Sequence, residues 1–337
     1  MSERLRWGVL GAAGIARGSV VPAIQSSRNG HVVAVASRNP ADADAWARAI
    51  GISRVVGAYD TLLGATDIDA VYVPLPNSLH GEWAIRAAQA GKAVLCEKPL
   101  ARDASEAERI VSAFEEAGKQ LMEGFMYRFH PQHARVRKLL GGGAIGELRE
   151  VHAHLSVDIM NPADPSNVRF VPELGGGARL DMGCYVASIA RFLFGDEPES
   201  VIGTLTMDET FGVDVGGSAI LSFDRERTAS ISCSFASNGQ GFYRLIGRNG
   251  MIDVPRAILP GLGDRASDTL IIDIDSNGRR RSEELPPVDQ YRLMVEAFAD
   301  SVLADAPVPI APTESILNLK VLDAWQRAAE TGTRAAV

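Results

Sequence analysis

Cysteine is scarce in this chain of 337 residues: Cys96, Cys184 and Cys233 stand far apart, in no metal-ligand spacing. That excludes a disulfide framework and a structural zinc site, and three scattered thiols fit a reducing compartment. Basic runs are absent and the net charge is -8, which argues against nonspecific binding to nucleic acid or a membrane surface. Long apolar stretches are absent too. The run after Arg6 is broken by glycines and Arg17, too short for a signal peptide or a membrane span. No internal repeat or low-complexity segment is present. The expectation is a cytoplasmic protein without a metal.

What is there is the composition of a globular protein, 46% hydrophobic and 23% charged, and long enough for two domains. The first part alternates short apolar runs with helical patterns. Strands are expected at Leu5–Leu10, 31–36, 55–56, Ala70–Val73, Ala93–Cys96 and 120–123, with helices between them. Pro22 falls inside the first helical pattern and should divide it. Asp103 and Glu106 have capping-box spacing. This rhythm predicts an α/β, doubly wound parallel sheet.

After residue 125 the pattern changes. Helices are expected at 131–140 and from the 175–177 glycine run to 194. Strands follow at 148–157, 201–206, 218–223, 229–235, 242–246, Gly250–Val254 and 269–274, then helices at 291–303 and 314–329. Sequential strands with short turns predict an open, mostly antiparallel sheet in an α+β domain. The expected domains are 1–124 (dinucleotide-binding), 125–310 (substrate-binding and oligomerisation) and 311–337, a C-terminal helix returning to the first domain.

Four places carry chemistry. Gly11-Ala12-Ala13-Gly14-Ile15-Ala16 follows a strand and opens a helix. Ala13 and Ala16 replace two glycines of G-x-G-x-x-G, yet small residues still admit a pyrophosphate against the helix-start amides. The second strand ends on Ser37-Arg38, where an NAD site carries an acid. A guanidinium and a hydroxyl suit a 2′-phosphate, hence NADP(H), although a solvated loop arginine reads the same way. Glu97-Lys98-Pro99 leaves the carboxyl end of a strand, where ligands bind. Lys98 there is placed to polarise a carbonyl or move a proton, and Pro99 admits a cis bond; on composition alone it is a surface lysine. Asp181 and Tyr185, four apart on an expected helix, read as proton donor and orienter, or as a cap and a half-buried core tyrosine.

These motifs, with 76–80 (Pro-Asn-Ser-Leu-His), 123–131 (Glu-Gly-Phe-Met-Tyr-Arg-Phe-His-Pro) and the run from Gly175 to Tyr185, resemble the glucose–fructose oxidoreductase, inositol dehydrogenase and MocA (Gfo/Idh/MocA) family. The resemblance covers essentially the whole chain. It implies that Lys98 is the catalytic lysine, that Tyr185 is the proton donor or acceptor, and that Asp181 is the acid one turn before it. It implies that Leu75, Pro76, Asn77, His80 and Glu97 line the cofactor's ribose and nicotinamide, that Tyr59 contacts the adenine end, and that Arg169 reaches back to the cofactor. Tyr127 and Tyr243 are looser matches for substrate contacts. Ser37-Arg38 resembles the NADP-using branch, which contains sugar dehydrogenases, ketosugar reductases and dihydrodiol dehydrogenases.

The function so implied is hydride transfer between nicotinamide C4 and a hydroxyl or carbonyl carbon of a sugar-like substrate, in a homodimer or homotetramer. Three rivals stay open: a dihydrodiol dehydrogenase, an NAD-dependent glycosidase of the same family, and a non-catalytic NAD(P)-sensing regulator. Ser37-Arg38 weighs against the second and retention of Lys98 and Tyr185 against the third.

Overall fold

The computed structural model describes residues 4–224, 226–260 and 269–337. They form two compact units, Met1–Phe129 with Asp289–Ile316, and His130–Val288 with Leu317–Val337.

The first unit alternates β1 (Leu5–Leu10), α1 (Val21–Ser26), β2 (Gly30–Ala36), α2 (Pro40–Ala49), β3 (Arg54–Val56), α3 (Tyr59–Leu63), β4 (Ala70–Val73), α4 (Asn77–Gln89), β5 (Ala93–Cys96), α5 (Ala104–Ala117) and β6 (Leu121–Glu123). Six parallel strands run in the order β3-β2-β1-β4-β5-β6. The strand order reverses between β1 and β4, so the ligand crevice of such a sheet opens at their carboxyl ends. β4 and β5 are buried at every residue, as a sheet covered on both faces requires. Pro22 does divide the first helix: a π turn over Ala16–Val20 gives way to α1, with the proline in its opening turn. Asp103 caps α5 by accepting from the Glu106 amide at 2.7 Å. The Glu106 carboxylate turns to the Arg102 amide (3.0 Å), so the capping box is half formed.

The second unit contains α6 (Pro131–Gly141), β7 (Leu148–Ser156), α7 (Cys184–Phe194), β8 (Ser200–Met207), β9 (Asp214–Ser222), β10 (Thr228–Ser234), β11 (Gln240–Gly247), β12 (Gly250–Val254), β13 (Thr269–Asp275) and β14 (Arg280–Leu285). With β15 (Ala335–Ala336) the strands form one sheet, β14-β13-β12-β11-β7-β10-β9-β8-β15. Every pairing is antiparallel except that of β7 with β10. α7 packs on β7 and β10, over a buried row that includes Val151, Ala153, Ile231 and Cys233.

The last two helices, α8 (Gln290–Leu303) and α9 (Pro312–Thr331), change the expected boundaries. α8 belongs with the first unit, not with 125–310. Its Phe298 ring lies 5.2 Å from Trp7, and the Asn29 amide donates to Glu296 O at 2.9 Å. Most of α9 belongs to the second unit rather than returning to the first. Asn318 donates to Cys184 O (3.0 Å) and the Trp325 indole to Thr204 O (3.2 Å). The sheet and α7 offer a large apolar surface to an amphipathic helix, and that decides where α9 docks. No helix among the described residues is long and apolar enough to cross a membrane.

Candidate functional site

In the first unit the glycine turn lies at the switch point. The Gly11 amide donates to Ala36 O at 2.7 Å, which sets the turn beside the end of β2. Gly11 has φ +106°, and a Cβ there would press on Leu75 at 3.0 Å, so glycine is required. Helical backbone begins at Gly14, where an added Cβ would meet open space. Ala12, Ala13 and Ile15 are half-buried and Ala16 is buried. The turn therefore fits a dinucleotide: backbone amides at a helix start, and room above Gly14.

Ser37 is buried at the end of β2, and its hydroxyl donates to Asn39 O (3.0 Å) and accepts from the Asn39 amide (3.2 Å). Arg38 is exposed, and its charge acts on the Tyr59 hydroxyl. Burial raises the Tyr59 phenol above its ordinary pKa, against the pull of Arg38. The Tyr59 ring sits edge-on to Trp83 at 4.8 Å. Gly11, Leu75 and Tyr59 are thus neighbours, with Arg38 close by.

The turn after β5 carries Lys98, and its peptide bond to Pro99 is cis. Three groups from other elements hold it. The Tyr72 hydroxyl donates to Glu97 at 2.7 Å, and burial, with the Glu97 charge second, pushes the Tyr72 pKa well up. Glu123 of β6 accepts from the Leu100 amide at 2.9 Å. His80 is fully buried, with Nδ1 2.8 Å from Pro99 O and Nε2 2.8 Å from Leu75 O. Burial lowers its pKa, although both carbonyls favour the charged ring. His80 therefore braces the 75–77 turn against the Lys98 turn instead of facing a ligand. Pro76 and Asn77 open α4 and are half-buried.

In the second unit Tyr185 lies in the first turn of α7, 6% exposed. The expected straight helix through Asp181 is instead a π turn over Arg179–Gly183, so Asp181 and Tyr185 are not related by one regular α turn. Asp181 receives Arg169 Nε at 2.6 Å in a part-exposed ion pair. The glycine run is tightly packed: a Cβ on Gly176 would lie 2.6 Å from Arg169 O, and one on Gly177 (φ +108°) would overlap Asp214 Oδ1. Asp214 accepts from the Arg179 amide at 2.6 Å, anchoring the helical start that presents Asp181 and Tyr185. Burial raises its pKa.

Tyr127 is wholly buried in the first unit. Tyr243 is 1% exposed in the second, its hydroxyl 3.1 Å from His133 Nδ1. Neither setting favours a substrate contact. Sequence reading overlooked Arg17, Tyr72, Glu123 and Asp214. Arg17 follows Ala16 directly and Glu123 opens the 123–131 string, whereas Tyr72 and Asp214 act across 25 or more positions and stand in no motif. Among the described residues no cluster of three His, Cys, Asp or Glu could hold a metal.

Matches to known proteins fall within the two units. Residues 5–125 match the oxidoreductase family with an NAD-binding Rossmann fold, and 133–253 match the GFO/IDH/MocA C-terminal domain. The D-xylose 1-dehydrogenase (NADP(+)) 2 of Haloferax volcanii is 38% identical over 328 residues, 97% of this chain and 98% of the relative. The dTDP-3,4-didehydro-2,6-dideoxy-alpha-D-glucose 3-reductase of Saccharopolyspora spinosa is 39% identical over 310 residues, 91% of this chain and 90% of the relative. A 3-ketoreductase from Actinomadura kijaniata, solved with NADP and TDP-benzene, superposes with a TM-score of 0.90 at 33% identity, covering 97% of this chain and 98% of that one. Fold and comparisons together define an oxidoreductase built on a Rossmann domain. Within that class the chain belongs to the Gfo/Idh/MocA family.

Proposed function

We propose that this oxidoreductase uses NADP(H) to interconvert a hydroxyl and a carbonyl on a sugar or related polyol. The observation that carries the cofactor choice is the end of β2, where Ser37 and Arg38 stand in place of an acid. The sugar follows from the relatives, whose names specify D-xylose and a deoxy-ketoglucose.

The bound nicotinamide supplies the hydride donor or acceptor. The Gly11–Ala16 amides hold the phosphates, Ser37 and Arg38 the ribose 2′-phosphate, and Tyr59 and Leu75 flank the adenosine end. Pro76, Asn77 and Glu97 line the ribose and nicotinamide. Tyr185 hands a proton to the carbonyl oxygen in reduction, and Lys98 polarises that oxygen. Asp181, in its pair with Arg169, orients its neighbours. The assembly is a homodimer or homotetramer through the second unit's sheet.

A panel of aldoses, ketosugars, cyclic polyols and dihydrodiols, followed by reduced-nicotinamide absorbance, tests the reading. Turnover with NADP(H) on a sugar supports it, whereas turnover of dihydrodiols alone moves the substrate to that rival. Arg38→Ala should weaken NADP(H) by roughly 10- to 150-fold and spare NAD(H). Equal weakening of both cofactors defeats the assignment.

A further inference from the structure

We infer that Arg17 is a second cation for the cofactor's 2′-phosphate and sets the preference for NADP(H) together with Ser37 and Arg38. The inference rests on the cofactor reading above.

Arg17 follows the glycine turn and folds back over it. Its Nε donates to Ala12 O at 2.7 Å, and its guanidinium lies 5.2 Å from the centre of the Trp46 ring. Its Nη2 meets Asp42 Oδ2 at 2.6 Å. Asp42 and Trp46 are one helical turn apart on α2, so one face of α2 and one carbonyl of the glycine turn hold the guanidinium between them. The Ser37-Arg38-Asn39 turn leads directly into α2. The bond from the Gly11 amide to Ala36 O brings the glycine turn beside that same point. Two guanidiniums therefore stand at the 37–42 segment: Arg38, whose charge acts on Tyr59, and Arg17, paired with Asp42.

Fold stability does not account for this arrangement. Asp42 is 64% exposed, and an ion pair to so open a carboxylate contributes little. The arrangement does suit an anion. Arg17 is held by its Nε and by the indole, and its Nη2 rests on a single exposed carboxylate of α2. A phosphate dianion offers more charge and a bidentate match, and displaces the carboxylate. Asp42 is then the resting partner of Arg17 and a competitor of the phosphate. An NAD-type ribose, lacking the phosphate, leaves the Arg17–Asp42 pair intact.

The test is fluorescence titration of the full-length protein with NADPH and NADH, with adenosine 2′,5′-bisphosphate and 5′-AMP as competing probes of the adenosine end. Arg17→Ala should weaken NADPH and the bisphosphate by about 10-fold or more, and NADH and 5′-AMP by less than about 3-fold. Asp42→Asn should tighten NADPH by about 2- to 5-fold and leave NADH unchanged. Arg17→Lys, which keeps the charge, should retain part of the preference. Parallel weakening of both dinucleotides by Arg17→Ala would mean that Arg17 only braces the glycine turn, and overturns the inference. So does a wild-type preference for NADPH that survives Arg17→Ala and collapses in Arg38→Ala. A wild type that binds NADH as tightly as NADPH overturns the cofactor reading and this inference with it.

Discussion

Lys98 and Tyr185 could be picked out of the sequence because each stands in a recognisable string, but what holds them could not. Tyr72, His80 and Glu123 pin the Lys98 turn from β4, α4 and β6. His80 and Glu123 do stand in recognisable strings, but nothing local says that they brace this turn, and Tyr72 stands in none. The roles of the pair are open to kinetics. A general acid contributes roughly 10²- to 10⁴-fold to rate. Tyr185→Phe, which removes one hydroxyl, should lower kcat on that scale while NADPH affinity stays near wild type. Lys98→Ala should do the same or worse, and the double variant should cost less than the product of the two if they form one relay. Near-normal kcat in Tyr185→Phe would make Tyr185 a packing residue. A second prediction concerns His130, which caps α6 by accepting from the Gln132 amide at 3.2 Å. Its Nε2 is buried without a partner, and burial lowers the pKa from 6.5 to about 4. The folded chain thus keeps the ring neutral after the unfolded chain has taken up a proton. Stability from this group is complete above pH 6.5 and declines as pH falls to about 4. The decline is on the order of 3 kcal/mol. His130→Asn keeps a capping acceptor, so its denaturant-unfolding stability should fall less steeply over that interval. An unchanged slope would place the titration elsewhere.

Elements with strong periodicity were legible to within a few residues, including β1, β4, β5 and β12, whose bounds agree with the expected ones. Those that escaped are short or atypical. α3 has five residues and β15 two. β14 reads Arg-Arg-Ser-Glu-Glu-Leu, with no apolar alternation, because it is an edge strand whose charges discourage further pairing. The two π turns also escaped. The glycine run before the second of them is closely packed. Gly177→Ala would set a Cβ against the Asp214 carboxylate at φ +108°. That should destabilise the protein by roughly 1–3 kcal/mol and shift the Asp181–Tyr185 segment. Stability measured by denaturant unfolding should fall, and kcat should fall with it. A variant with wild-type stability would show that Asp214 yields freely and anchors nothing.

At the scale of the whole molecule the two-unit plan was legible, but α8 was assigned to the wrong unit. Its apolar face looks the same whichever sheet it covers, and only contacts such as Phe298 with Trp7 decide. The larger question is the outer face of the second sheet. Its inner face is covered by α7, while Ile202, Ile220 and Phe242 on the other side stay 39%, 47% and 38% exposed. Ile202 and Ile220 are cross-strand partners on β8 and β9, and Phe242 packs beside His154 at 5.4 Å. They border a shallow depression of about 690 Å³ whose other walls are His152, His154, Ile231 and small or hydroxylated residues such as Thr204 and Ser232, and no Asp, Glu, Lys or Arg lines it. Depletion of charge around exposed apolar side chains marks the core of a protein interface. At strand spacing, β8, β9, β10, β7 and β11 offer roughly 500 Å² of flat area before side-chain relief, approaching the 800 Å² or so per partner of a standard interface. A second copy presenting the same face would match it apolar to apolar, and a two-fold axis closes such an assembly. Sedimentation at micromolar concentration should therefore show a species at least twice 36.0 kDa. Ile220→Lys, which buries a charge in that contact, should shift it toward monomer without unfolding the protein, because the side chain faces away from the core. A wild type that sediments only at 36.0 kDa would mean that this face meets solvent or another partner, and the dimer would have to be given up.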